Sequence, residues 1–76
     1  MPKFFFNIVD DKSRVPDHEG MELPDLDAAR NEAQESAREL LADALRAHKD
    51  VDGRRIEIGN ENGDVITALK VRDLLN

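Results

Sequence analysis

Phe4, Phe6 and Ile8 alternate with Phe5, Asn7 and Val9 along residues Lys3 to Val9. A period of two in aromatic and β-branched residues predicts a β-strand with one face turned to a core. Asp10-Asp11-Lys12-Ser13 is turn material. Arg14-Val15 then predicts a short second strand, which Pro16 confines to an edge. Asp17 to Glu22 is polar and contains Gly20, so it reads as a loop or a bulged continuation of that strand.

The period changes after Leu23-Pro24-Asp25. Leu26, Ala29, Ala33, Ala37, Leu40, Leu41, Ala44 and Leu45 follow helical spacing and predict one apolar stripe. Arg30, Glu35, Arg38, Glu39, Asp43 and Arg46 fall on the opposite side. Asp25 is placed to cap the helix, because its carboxylate can accept from free first-turn amides. Asp27 and Glu32 lie towards the positive end of the helix dipole, Arg46 and Lys49 towards the negative end. The stripe is rich in alanine first and in leucine later, which predicts close approach to a sheet at one end and a wider gap at the other.

Asp50-Val51-Asp52-Gly53 is expected to end the helix and turn the chain. Arg54 to Ile58 reads as a third strand with Ile56 and Ile58 facing inward. Val65 to Val71 reads as a fourth. Asn60-Glu61-Asn62-Gly63 between them predicts a hairpin with a type I′ turn centred on Asn62-Gly63. That centring sets Ile58 opposite Thr67 and Ile56 opposite Leu69, all on one face. Leu74 and Leu75 are expected to add a closing turn. The pattern is thus α+β, in the order ββαββ. It predicts one domain over residues 1–76, an antiparallel-type sheet of about four strands, and one long helix packed on one face. Strand order is left open.

Composition narrows the function classes. A chain of 76 residues buries only roughly 60% of its unfolded surface, which leaves little room for a cofactor-sized cavity. It has no cysteine, so neither a disulfide framework nor a thiolate zinc site is available. No apolar run approaches the ~20 residues of a membrane span, and the first residues show no signal-peptide pattern. A cytoplasmic location is the expectation. The net charge is −6, and residues 10–27 hold seven acids against two bases. Such a balance disfavours nucleic acid as a partner unless the few bases cluster.

The chemistry-bearing residues read more simply as structural. His18 lies in an acidic loop and His48 at a helix end, with no second histidine at ligand spacing. Asp10, Asp11, Asp17, Glu19 and Glu22 lack the spacing of a calcium loop and read as a solvated acidic segment. Ser13 and Ser36 have no nucleophile-elbow context, and the four glycines are dispersed at turns. No catalytic residue, cofactor or metal is expected. A nucleic-acid reading would use Lys3, Phe5, Arg55 and Lys70 on the sheet face away from the helix, with Phe5 stacking a base. That same face carries Phe5, Val9, Ile66 and Ala68. A single helix leaves these four exposed unless something covers them, which marks them as an interface candidate.

The order of motifs supports a family resemblance. The chain opens Met1-Pro2-Lys3-Phe4-Phe5-Phe6 and continues with Asp17-His18-Glu19-Gly20 and Asp25-Leu26-Asp27-Ala28-Ala29-Arg30. It closes with Ile56-Glu57-Ile58, Glu61-Asn62-Gly63 and Val65-Ile66-Thr67. In this it resembles a family of short, uncharacterised bacterial proteins of the rhizobial type that carry a domain of unknown function. Arg55 stands where such proteins often have an aromatic, and Lys70-Val71 where a Pro-aromatic pair is common. The resemblance implies no activity and no site residues. Leu23-Pro24-Asp25-Leu26 and the helix after it also resemble antitoxins of the HicB type, without their Gly-Asp-Thr helix entry or an appended DNA-binding module. The expected function is therefore non-enzymatic, acting through protein contacts as a homodimer or with another protein. The alternative is a nucleic-acid-linked regulator or HicB-type antitoxin-like module.

Overall fold

A computed structural model describes residues 1–75, the side chain of Leu75 excepted. The fold is α+β. Strand β1 (Lys3–Val9) is followed by two short strands, β2 (Arg14–Val15) and β3 (Met21–Glu22). Helix α1 (Leu26–Arg46) leads to strands β4 (Arg55–Gly59) and β5 (Val65–Lys70), and a 3-10 helix (Val71–Leu75) follows. β2 and β3 both pair antiparallel with the same edge of β1, giving the order β2/β3–β1–β4–β5. The expected loop after Pro16 is therefore an excursion that leaves the sheet and returns to it as β3. The sheet has five strands, of which two are fragments of one interrupted edge.

The predicted faces are present. Phe6 pairs with Ile58 and Ile8 with Ile56, while Ile58 pairs with Thr67 and Ile56 with Leu69. Phe4, Ile56, Ile58 and Val71 form the core with Ala29, Ala33, Ala37, Ala44 and Val51; Phe6, Leu26, Leu40, Leu41 and Leu69 pack around it. Ala29, Ala33 and Ala37 are fully buried. Small helix residues thus face large sheet residues, which lets the two layers approach without overpacking. No helix among the described residues is long and apolar enough to cross a membrane.

Four expectations are corrected in detail. Leu45 is not part of the buried stripe; it is 65% exposed. A helix of 21 residues runs about 31 Å, whereas a strand of seven residues spans about 23 Å. The last turn therefore outruns the sheet it packs on. The helix also ends earlier than expected, at Arg46, with Ala47 as its cap. The Lys49 amide donates to Ala44 O at 2.8 Å and the His48 amide to Leu45 O at 3.3 Å. These are the paired bonds of a Schellman motif, and His48 occupies its left-handed position with φ +56°.

The third correction concerns the β4–β5 turn. Of its residues only Gly63 has positive φ, at +87°, so the turn is not type I′. The Gly63 amide donates to Asn60 O at 3.1 Å and the Asn60 amide to Asp64 O at 2.9 Å. This is a three-residue loop in which a tight turn is followed by a left-handed glycine. Asn60 Oδ1 supports it by accepting from the Asn62 and Asp64 amides. The longer loop would shift the strands by one residue, but a bulge between Ile58 and Gly59 restores the register. Gly59 pairs with Val65 and Ile58 with Thr67, so Ile66 is the extra residue. The pairs anticipated from a two-residue turn are met because one irregularity cancels the other. The fourth strand also stops at Lys70, where Val71 turns into the core.

Two stability tests follow from the helix. Leu40→Ala should cost about 2 kcal/mol, as a partly buried leucine does, and Leu45→Ala should stay within about 0.5 kcal/mol of wild type. Denaturant melts of the two variants check the ranking; equal losses would contradict the overhang. His48→Gly should gain about 0.5 kcal/mol, because removing the left-handed strain slightly exceeds the entropy cost of glycine. A loss of stability would show that His48 makes contacts beyond the cap.

Candidate functional site

The sheet face away from α1 is laid out in rows by the register. Phe5, Gly59 and Val65 form one row, Asn7, Glu57 and Ala68 the next, and Arg14, Val9, Arg55 and Lys70 the last. The face is not bare. The excursion between β2 and β3 folds back so closely that a Cβ at Gly20 would lie 2.8 Å from Phe5 Cε2 and 2.8 Å from Lys3 Cγ. Gly20 has φ +70°, so both its conformation and its packing require glycine. Phe5 is half-buried as a result, at the floor of a shallow groove of about 240 Å³ shared with Asn7, Asp17 and Val65. Val9 is only 7% exposed, between Arg14 and Arg55. Ile66 and Ala68 are exposed on β5. The four candidate interface residues thus divide into a covered pair and an open pair.

Asp17 organises the covered half. Between β2 and β3 the edge of β1 away from β4 has no strand beside it, so the Phe6 amide, which points to that edge, lacks a backbone partner. Asp17 Oδ2 accepts that amide at 3.1 Å, while Asp17 Oδ1 accepts from Glu19 and Gly20, each at 3.1 Å. The Asp17 amide in turn donates to Asn7 Oδ1 at 2.9 Å, which satisfies a buried side chain. Burial opposes ionisation of Asp17, yet the Gly20, Phe6 and Glu19 amides outweigh it and His18 adds a favourable charge, so its pKa lies below the ordinary 3.8. Asp10 is used the same way. Its carboxylate accepts from Lys12 at 2.8 Å and Ser13 at 2.7 Å, and these amides lower its pKa. Both perturbed acids cap backbone.

The open half is the edge of β5. This strand ends the sheet, so one side of its backbone is unpaired. Val65 is 49% and Ile66 42% exposed. Beside the strand, a cleft of about 100 Å³ opens between α1 and β5, lined by Ala33, Ile58, Thr67 and Leu69 with Arg30 and Gln34 at its rim. A third feature lies at the end of the sheet. Arg55 pairs directly with Lys70, and the Val71 amide donates to Arg54 O at 3.1 Å. These two links bring Arg54, Arg55, Lys70 and Arg72 around one cleft of about 150 Å³. Like charges directly opposite on a sheet cost about 0.2–1 kcal/mol. Asp10, Asp11, Asp50 and Asp52 gather nearby with Lys12 and Arg54. Among the described residues no group of three or more His, Cys, Asp or Glu is arranged to hold a metal.

Sequence reading treated Asp17 as one more solvated acid. The signal for its role was its spacing from Gly20, which suits a side chain closing a turn over three residues. The basic cleft had no local signal, because it depends on pairing across the sheet.

Asp17→Ala should cost about 1–3 kcal/mol, the penalty for leaving the Phe6 amide without a partner. A lowered folded pKa means that the stability Asp17 contributes is complete above its unfolded value and is lost as pH falls through the folded value. The gap between wild type and variant should therefore be widest at neutral pH and narrow below about pH 4. Melts across pH 2–7 check this, and a gap independent of pH would remove the carboxylate from the account.

A family model described as "Domain of unknown function (DUF6894)" matches residues 3–72. A search of the curated proteins and a search of the solved structures each found no match. The match takes in every strand and the helix, so the chain belongs to the DUF6894 family.

Proposed function

We propose that this chain is a non-enzymatic, cytoplasmic bacterial protein that works through protein contacts, and that its first contact is with a second copy of itself. The observation that carries this reading is the open edge of β5. An unpaired strand edge is a template for another strand, and globular proteins ordinarily block it with charge, proline or a cover. From Val65 to Lys70, β5 has one charged residue, no proline and two adjacent exposed aliphatics.

The geometry limits how two copies join. Antiparallel strands related by a two-fold axis keep the same sheet face on the same side, so a helix-facing residue must oppose a helix-facing residue. Placing Ala68 on the axis satisfies this. Thr67 then opposes the partner's Leu69, and Ile66 opposes the partner's Lys70. No like charges meet, and the smallest side chain of the strand sits on the axis, where the outward-facing Ala68 backbone groups of the two copies can bond each other. Leu69 and Thr67 of each copy fall beside the apolar cleft between α1 and β5 of the other. The bulge at Ile66 ends the regular pairing, so the interface is short and the dimer weak, with Kd on the order of 10 μM.

The nucleic-acid reading has the row of Arg14, Arg55 and Lys70 in its favour. Arg14 is already engaged with Glu57 at 2.6 Å, and four acids stand beside Arg54. The protein-contact reading therefore takes precedence. Sedimentation equilibrium should show a monomer–dimer system. Ala68→Glu should weaken it about tenfold or more by setting two carboxylates face to face across the axis. Ala68→Lys should do the same, and an equimolar mixture of the two variants should restore association. A wild type that stays monomeric to millimolar concentration, or variants that associate normally, would overturn the proposal.

A further inference from the structure

We infer that the cleft formed by Arg54, Arg55, Lys70 and Arg72 binds a single phosphate-type oxyanion, free or as a phosphate monoester. The first ground is convergence. In a chain of net charge −6, four of its eleven bases line one cleft, and among the described residues only Gly53 joins them there. The arrangement is held by the backbone and not by flexible side chains alone. The β4–β5 register sets Arg55 against Lys70, and the bond from the Val71 amide to Arg54 O carries Arg72 alongside.

The second ground is that this charge is only partly paired: among the described residues, Arg54 has acids nearby but no direct ion pair, and Arg55 and Lys70 have none. Arg72 meets Asp52 at 3.5 Å. The Arg55 guanidinium donates to Gly53 O, at 3.3 Å. Two cations held opposite each other without a counter-charge weaken the sheet unless an anion joins them. The third ground is shape. A cleft of about 150 Å³ with no aromatic wall suits a compact tetrahedral anion, which arginine forks can grip in bidentate fashion. It offers no stacking platform for a base and no track for a long backbone. The acids around Asp10, Asp11, Asp50 and Asp52 border the cleft and would repel an extended polyanion.

The test is a titration of the ¹⁵N-labelled chain with inorganic phosphate, with sodium chloride matched for ionic strength. Saturable shifts confined to residues 53–55 and 70–72 are expected, and sn-glycerol 3-phosphate should reproduce them if the monoester is the natural form. If free phosphate alone binds, the site is one for the inorganic ion, and the inference stands. The double variant Arg55→Gln with Lys70→Gln should lose at least tenfold in affinity. It should also melt higher than wild type in phosphate-free buffer, since the repulsion is gone, and its melting temperature should no longer rise with added phosphate. Shifts that sodium chloride reproduces would overturn the inference. So would unchanged phosphate affinity in the double variant, or binding of a single-stranded oligonucleotide without any response to phosphate or glycerol phosphate.

Discussion

The constraint on which this structure turns is the need of every sheet edge to satisfy its backbone hydrogen bonds. The small sheet has two edges and treats them differently. On the β1 side the neighbouring strand is broken, and the gap would orphan the Phe6 amide. The Asp17 carboxylate fills it, while the Asp17 amide ties the excursion to Asn7 Oδ1, and β3 rejoins the sheet beyond. On the β5 side no strand among the described residues is supplied. An acid that closes one edge and an edge left open are two answers to the same requirement.

That difference also sorts the far face of the sheet. Because the excursion is pinned by Asp17, Gly20 comes down on Phe5 and shields it, while Val9, in the last row between Arg14 and Arg55, is itself buried. The helix-free face is thereby partly closed by the chain itself. What remains uncovered is displaced to β5, where Val65 and Ile66 are exposed, and the alanine-rich start of α1 leaves a cleft open against Thr67 and Leu69. The alanines that allow close packing in the middle of the sheet leave that space at its margin.

Much of this was legible in the sequence because it depends on periodicity. Alternation in Lys3–Val9 and helical spacing from Leu26 identify the two layers, and Asp25 marks the helix start, its Oδ1 accepting the Ala28 amide at 2.9 Å. What was hidden depends on distance or on absolute length. Leu45 fits the helical stripe, but spacing does not reveal that the helix outruns the sheet. The pairing of Ile58 with Thr67 was correct although the turn was not, since the bulge at Ile66 offsets the longer loop. Asp17 looks like the acids around it until β1 is seen to lack a neighbour there. Arg55 and Lys70 are fifteen residues apart and look unrelated until the register places them together.

The account stands or falls on β5 being an edge that another copy completes. Amide hydrogen exchange, followed residue by residue at several protein concentrations, addresses that directly. Outward-facing amides of β5 should become more protected as concentration rises through the dimerisation range, while the Phe6 amide, held by Asp17 within each chain, should not change. Protection of β5 that is the same at every concentration would contradict the account.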